Sequence, residues 1–307
     1  MGAYIARRLI QSILTLLGVS FVTFFLLFVI PADPARAILG HAFASPEQFA
    51  NLRQQLGLDL PFYERYFIYL NNLIHGDLGR SYLQKTEVSV LLWSRAAPTA
   101  LLVAGAIFFE VTIGLTMGLL ASIWRNSRTD RALMVASFII VSAPQFVVGI
   151  VLLYVFAVYL NWFPMSGYGH LSNLILPALT LGVLGAGWYS RMMRSSMIDV
   201  LRQDFIRTAK AKGLGPTTVV IVHALPNAIL PIIAFIGSDV GYFMSQTVVV
   251  ESVFGWPGIG QLAWQAIQRI DIPIIMGVTL VSACAIVVGN LIADLVAPLI
   301  DPRIKSE

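Results

Sequence analysis

Six runs of about 20 apolar residues punctuate this sequence, each long enough as a helix, at about 1.5 Å per residue, to cross a hydrocarbon layer of about 30 Å. That layer offers no water to backbone N–H and C=O groups, so such runs must cross as helices that satisfy their own hydrogen bonds. The runs fall at residues 9–30, 98–124, 132–160, 174–190, 226–250 and 273–298. Composition points the same way: 57% of the residues are hydrophobic and 12% charged, against roughly 45–50% and about 25% in soluble domains. The chain reads as an all-α polytopic membrane protein with six transmembrane helices.

The first run reads as a lasting span. Leu9 to Ile30 exceeds the roughly 7–15-residue core of a secretory peptide, and no small-residue cleavage site precedes Pro31. The lone cysteine, Cys284, lies inside the last run, where it reads as inert packing and allows no intramolecular disulfide. The net charge of +4 matters here for orientation, and no nucleic-acid partner is expected; the surrounding partner is membrane lipid.

Arginine and lysine collect in short loops of one parity. Arg7 and Arg8 precede the first span. Arg125, Arg128 and Arg131 lie between the second and third. Arg191, Arg194, Arg202, Arg207, Lys210 and Lys212 crowd the fourth-to-fifth connection, and Arg303 and Lys305 end the chain. The opposite loops, 161–173 and 251–272, hold only Arg269. The positive-inside rule then puts both termini in the cytoplasm.

One membrane domain, 1–307, carries two excursions: an extracytoplasmic helical insertion at 31–97 and a cytoplasmic loop at 199–227. In the first, Ser45-Pro46-Glu47-Gln48 reads as a capping box and Gly57 as the stop of a helix near 46–56. A second helix starts after Asp59 and Pro61 and ends before Gly76, with Phe62, Tyr66, Tyr69, Leu70 and Leu73 on one face. In the second excursion, Asp204 to Gly213 has an acidic start, a basic last turn and a glycine stop. Pro216 then opens another helix and Pro226 marks the entry to the fifth span. This loop is far longer than joining neighbouring helices requires, which points to a rigid knob that binds something.

Arg207-Thr208-Ala209, then Gly213, then Leu225-Pro226 resembles the EAA loop of membrane subunits in bacterial ATP-binding-cassette importers. Its spacing of Glu-Ala-Ala, three residues, Gly, nine residues and Ile-x-Leu-Pro is intact, with Arg207, Thr208 and His223 at substituted positions. Those substitutions resemble the peptide, nickel and glutathione branch. So do Leu56-Gly57-Leu58-Asp59 with Gly76-Asp77-Leu78-Gly79, Val253-Phe254-Gly255-Trp256-Pro257-Gly258-Ile259-Gly260, and Asp301-Pro302-Arg303. The resemblance runs from Arg7 to Arg303. It implies a type I importer permease fold in the bacterial cytoplasmic membrane, with a coupling helix around Arg207, Thr208, Ala209, Gly213, Leu225 and Pro226. It further implies a second homologous permease subunit, cytoplasmic ATPase subunits and an extracytoplasmic solute-binding protein, with small peptides or a related solute as cargo.

This chain cannot hydrolyse ATP. A P-loop needs Gly-Lys-Ser/Thr, and Lys85, Lys210, Lys212 and Lys305 all follow a residue other than glycine. No cofactor is expected in the chain itself, ATP and Mg being held by the partner ATPase. His41, His75, His170 and His223 are scattered and form no recognisable metal pattern.

Acids within the apolar runs are the remaining signal, because a charge at mid-bilayer costs about 2.5–3.5 kcal/mol even on the mild insertion scale. Asp239, Tyr242 and Gln246 share a helical face, which with Glu110 is assigned to the translocation path. Gly237, Gly241 and Ser245 repeat every four residues and suit close helix packing, while Asn290 and Asp294 read as bracing. The segment from Glu251 to Gly260 reads as an external gate-capping or re-entrant turn, with Phe254, Trp256, Pro257 and Gly258 at its centre. The alternative function is a proton-coupled carrier using Glu110 and Asp239 as its relay; the long 199–227 knob speaks against it.

Overall fold

A computed structural model of the chain describes residues 2–28, 46–55 and 58–300. The proposed capping residue Ser45, the stop Gly57 and the Asp301-Pro302-Arg303 motif lie outside them.

The centre of the fold is a pair of long helices, α4 (Val88–Ile123) and α7 (Leu171–Val200). Lipid offers helices no hydrophobic drive to associate, so close van der Waals contact must hold them. Small residues permit it: a Cβ on Gly105 would sit 3.0 Å from the Ala178 Cβ, and one on Gly114 2.5 Å from the Tyr189 Cβ.

Helix α4 begins at Val88, well before the apolar run at 98, because Val88 and Leu92 are buried against two later helices. These are α12 (Ile259–Arg269) and α13 (Ile272–Ile300). Pro98 lies inside α4. Helix α7 likewise outruns its apolar segment and carries Arg191 and Arg194 with it.

The run expected as one span over 132–160 is broken. Helix α5 (Arg128–Ser142) and the arm formed by α6 (Gln145–Leu152) with a π-helical continuation, Leu153–Tyr159, lie at 108° to one another. Ala143 at the elbow is extended, with ψ 134°, as the steric demand of Pro144 on its predecessor requires.

The connection after α7 holds α8 (Asp204–Ala211), α9 (Pro216–Thr218), a π-helical stretch Val219–Ala224, and α10 (Leu225–Ala228). Helix α11 (Leu230–Phe254) follows immediately, so the fifth span is approached by nearly continuous helix from Pro216. It packs along α13: a Cβ on Gly237 would sit 2.6 Å from the Ala293 Cβ, and one on Gly241 3.1 Å from Ile286 Cγ2. Ser245, expected on the same packing stripe, is exposed.

Helix α1 (Gly2–Phe28) packs on α13 and is joined to it by the ion pair of Arg8 Nη1 with Asp294 Oδ2 at 3.0 Å, the bracing expected of Asp294. The insertion contains α2 (Pro46–Gln55) and α3 (Phe62–Ile74). The aromatic face of α3 has its partner on α1: Tyr66 lies edge-on to Phe21 at 5.3 Å and near Phe24 at 5.4 Å, and Phe24 also meets Phe62 and Tyr69.

Candidate functional site

Three constellations hold the residues singled out by sequence. The first is the 199–227 loop. Helix α8 is amphipathic, with Ile206 and Ala209 buried and Phe205, Arg207, Thr208 and Lys210 exposed. Ile206 and Ala209 pack with Val219, Ala224 and Ala228 and with Met193 and Met197 of α7, which fastens the knob rigidly to the bundle. The small size of Ala209 is therefore used inside the chain. Gly213 is different: its φ of +79° is the left-handed conformation that favours glycine, and the space where a Cβ would stand is open. Leu225 is half-buried and Pro226 exposed.

Helix α7, to which the knob is fastened, is itself braced by α5. Ser127 caps that helix by accepting from the Asp130 N–H at 3.1 Å. The Asp130 carboxylate accepts two charge-assisted bonds from Arg194, Nε to Oδ1 and Nη2 to Oδ2, both at 2.7 Å. Arg191, one turn earlier, stacks between Phe138 at 4.9 Å and Trp188 at 4.8 Å. Two of the arginines that signal orientation thus also tie α5 to α7.

The second constellation is the turn after α11. Gly255 ends that helix in the left-handed conformation, φ +60°. The Glu251 side chain is fully buried: its Oε1 accepts from the Thr99 hydroxyl at 2.7 Å and its Oε2 from the Gln261 N–H at 2.9 Å. Thr99 Oγ1 in turn accepts from the Ile259 N–H at 2.8 Å, so two side chains satisfy N–H groups of the first turn of α12 that the helix itself cannot. Trp256 donates its indole N–H to the Pro98 carbonyl at 3.0 Å and meets Tyr168 edge-on at 5.0 Å.

Gly258 leaves room for the carboxyl, since a Cβ there would overlap its atoms. Phe254, Trp256 and Ile259 are buried. The segment read as an external gate-capping or re-entrant turn is fastened to α4 as a latch. A second buried acid, Asp271, holds the segment before α4 to the α12–α13 corner, accepting from Ser81 Oγ at 2.5 Å and from the Tyr82 N–H at 3.3 Å. Burial first, and the Asp271 carboxylate second, raise the Tyr82 hydroxyl pKa above its ordinary value.

The third constellation lies in the bundle interior. Tyr189 of α7 donates its hydroxyl to Asp239 Oδ2 of α11. Glu110 of α4 is near enough to interact electrostatically with both, and its Oε2 is buried with no hydrogen-bond partner among the described residues. Gly185 makes room for that carboxyl, as Gly258 does for Glu251. Asp239 and Gln246 are half-buried, and Tyr242 is 51% exposed. Around Tyr242 runs a stripe at helical spacing in which Phe235, Tyr242, Ser245 and Val249 are exposed and Ser238 is half-buried.

Sequence reading brought out Glu110, Asp239 and Glu251 but missed Tyr189, Thr99, Gln261 and the Asp130–Arg194 pair. Of these only Asp130 carried a local cue, three residues after the capping Ser127; Tyr189, Arg194 and Thr99 stand 50, 64 and 152 residues from the acids they serve, and Gln261, ten residues from Glu251, reaches it only through its backbone N–H.

Residues 111–306 match the family described as binding-protein-dependent transport system inner membrane component, and residues 1–103 match its N-terminal companion. The chain is 37% identical over 302 residues to the glutathione transport system permease protein GsiC of Escherichia coli K12, covering 98% of each. It is equally similar, at 37% over 302 residues, to GsiC of Salmonella typhi. Its fold is similar to a chain of the inward-facing MetNI methionine ABC transporter, with TM-score 0.59 at 18% identity over 68% of this chain and 96% of that one.

Proposed function

Because this chain belongs to the binding-protein-dependent transport system inner membrane components, we propose that it is one of two permease subunits that together form the pathway of a small-peptide importer. The chain is a multi-pass inner-membrane permease of an ATP-binding-cassette importer, and hydrolysis belongs to separate ATPase subunits. A binding protein delivers the solute. No relative or structural match supports the carrier reading.

The observation that carries the substrate class is the 37% identity, sustained along 98% of both chains, to permeases named for glutathione, itself a tripeptide. The second permease subunit is supported by the largely exposed stripe on α11. Ser238 and Ser245 return their hydroxyls to their own helix, at 2.7 Å each, leaving a smooth mixed surface in mid-membrane better suited to a partner or a wet path than to lipid. Asp239 stands at the edge of this stripe with Gln246, and Glu110 behind it. In this reading they line or tune the pathway, with Asp239 offering a carboxylate to the solute's ammonium group.

The knob of Arg207, Thr208, Ala209, Gly213, Leu225 and Pro226 seats in the ATPase, and both termini lie on that side. The latch of Glu251, Phe254, Trp256, Pro257 and Gly258 closes the opposite mouth. ATP and Mg stay on the ATPase. The test is uptake by the complete complex in proteoliposomes supplied with its binding protein. Labelled glutathione or a dipeptide should enter only with internal ATP and continue when the proton gradient is collapsed. Uptake that stops with the gradient, or that admits neither solute, would overturn the reading.

A further inference from the structure

Beside α3 lies a pocket of about 260 Å³ with apolar walls, among them Phe24 and Phe28 of α1, Ile68 of α3 and Met276 of α13. Among the described residues one cation, Arg65, lines it. Its Nε and Nη1 are buried with no hydrogen-bond partner among those residues, and the guanidinium stands 5.6 Å from the centre of the Phe28 ring. An arginine with unmet donors in an apolar wall is expensive, and its planar fork matches a phosphate or carboxylate. Asp77, at the same pocket, accepts the Gly79 N–H at its Oδ1, 2.8 Å away, and makes no ion pair with Arg65 among the described residues.

Helix α3 suits a lipid–water boundary. Its Tyr66 hydroxyl donates to the Leu17 carbonyl at 3.4 Å, eleven residues and about 16 Å of helix below Phe28. Its outward apolar residues Tyr63, Phe67 and Ile74 are 60%, 67% and 81% exposed, beside the exposed polar Glu64, Asn71 and Asn72. A water-borne anion would meet a greasy entrance here; a lipid would not.

We propose that this pocket binds an anionic glycerophospholipid, its phosphate on Arg65 and an acyl chain along Phe24, Ile68 and Met276. Its placement in the outer leaflet rests on the orientation proposed above. The bound lipid would fill the seam among α1, α3 and α13 and fix the insertion to the bundle.

The purified complex, stripped of lipid in detergent, is offered phosphatidylglycerol, phosphatidylcholine or inorganic phosphate, and retained lipid is counted by native mass spectrometry. Wild type should keep one phosphatidylglycerol per copy of this chain and prefer it over phosphatidylcholine by about tenfold, since both lipids offer the phosphate but the choline ammonium sets a second cation near the Arg65 guanidinium. Arg65→Gln should abolish the preference, and Met276→Trp, which fills the pocket with Arg65 intact, should lower retention of both lipids.

Equal retention of the two lipids by wild type, a preference that survives Arg65→Gln, or displacement of phosphatidylglycerol by inorganic phosphate would each overturn the proposal. The wild-type arms need no variant, so they decide even if neither substituted complex assembles. Gln84→Cys labelled by an impermeant maleimide only from the cytoplasmic side would refute the orientation while leaving the lipid preference intact.

Discussion

Gly258→Ala should break the latch that joins α11, α12 and α4. Alanine is at home in the backbone conformation of Gly258, φ −104° and ψ −174°, so the substitution carries no strain of its own. Its whole cost is contact: the new methyl would overlap the Glu251 carboxyl, which is fully buried and has to move. Moving it breaks the bonds from Thr99 at 2.7 Å and from the Gln261 N–H at 2.9 Å. At about 1–3 kcal/mol for each buried polar group left unmet, and with partial relaxation, the loss is about 2–5 kcal/mol. Taking about 2 °C per kcal/mol for a chain of this size, the unfolding midpoint of the solubilised complex should fall by roughly 4–10 °C.

The assay is thermal unfolding of the complex in detergent, run as a double-mutant cycle with Glu251→Ala. Once the carboxyl is gone the methyl has space, and Gly258→Ala should then add less than about 0.5 kcal/mol. A wild-type midpoint for Gly258→Ala, or the same loss in both backgrounds, would refute the steric account of this glycine.

Gly213→Asn, which tolerates the left-handed backbone, should keep assembly and coupling. Gly213→Trp should assemble but lose both the binding protein's stimulation of ATPase activity and uptake; stimulated hydrolysis at wild-type level would remove this position from the coupling surface. Arg194→Met leaves the buried Asp130 uncompensated and should cost about 3–5 kcal/mol, seen as loss of folded complex, with Asp130→Asn in the same chain restoring most of it. Asp239→Asn keeps an acceptor for Tyr189 and should assemble normally while altering uptake; loss of the complex instead would make this acid structural. Reporter fusions should read cytoplasmic at Arg128 and Lys210 and external at Gln84, and a cytoplasmic signal at Gln84 would invert the topology.

Much of the architecture was legible because lipid imposes so few solutions. An apolar run of spanning length must be helical, and the stops at Gly76 and Gly213 follow from a conformation that side chains resist. The knob from Asp204 to Gly213 was readable for the same local reason, its charges and its stop lying within ten residues. Pro144 stood in plain view inside the third run, yet the 108° elbow was not, since prolines are tolerated in other spans, as Pro98 and Pro177 show. Whether a proline bends or breaks a helix depends on what its neighbours pack against.

The helical character of the apolar runs, and the stops at Gly76 and Gly213, were determined by the sequence itself, through hydrogen-bond satisfaction and steric limits that act along the chain. The partners of the buried acids were decided only by the tertiary structure. Glu251 meets Thr99, Asp239 meets Tyr189 and Asp271 meets Ser81, while the buried Nε and Nη1 of Arg65 find no hydrogen-bond partner among the described residues. A carboxyl in an apolar run signals that some donor must come to it, but only helix packing brings a residue 50, 152 or 190 positions distant within bonding reach.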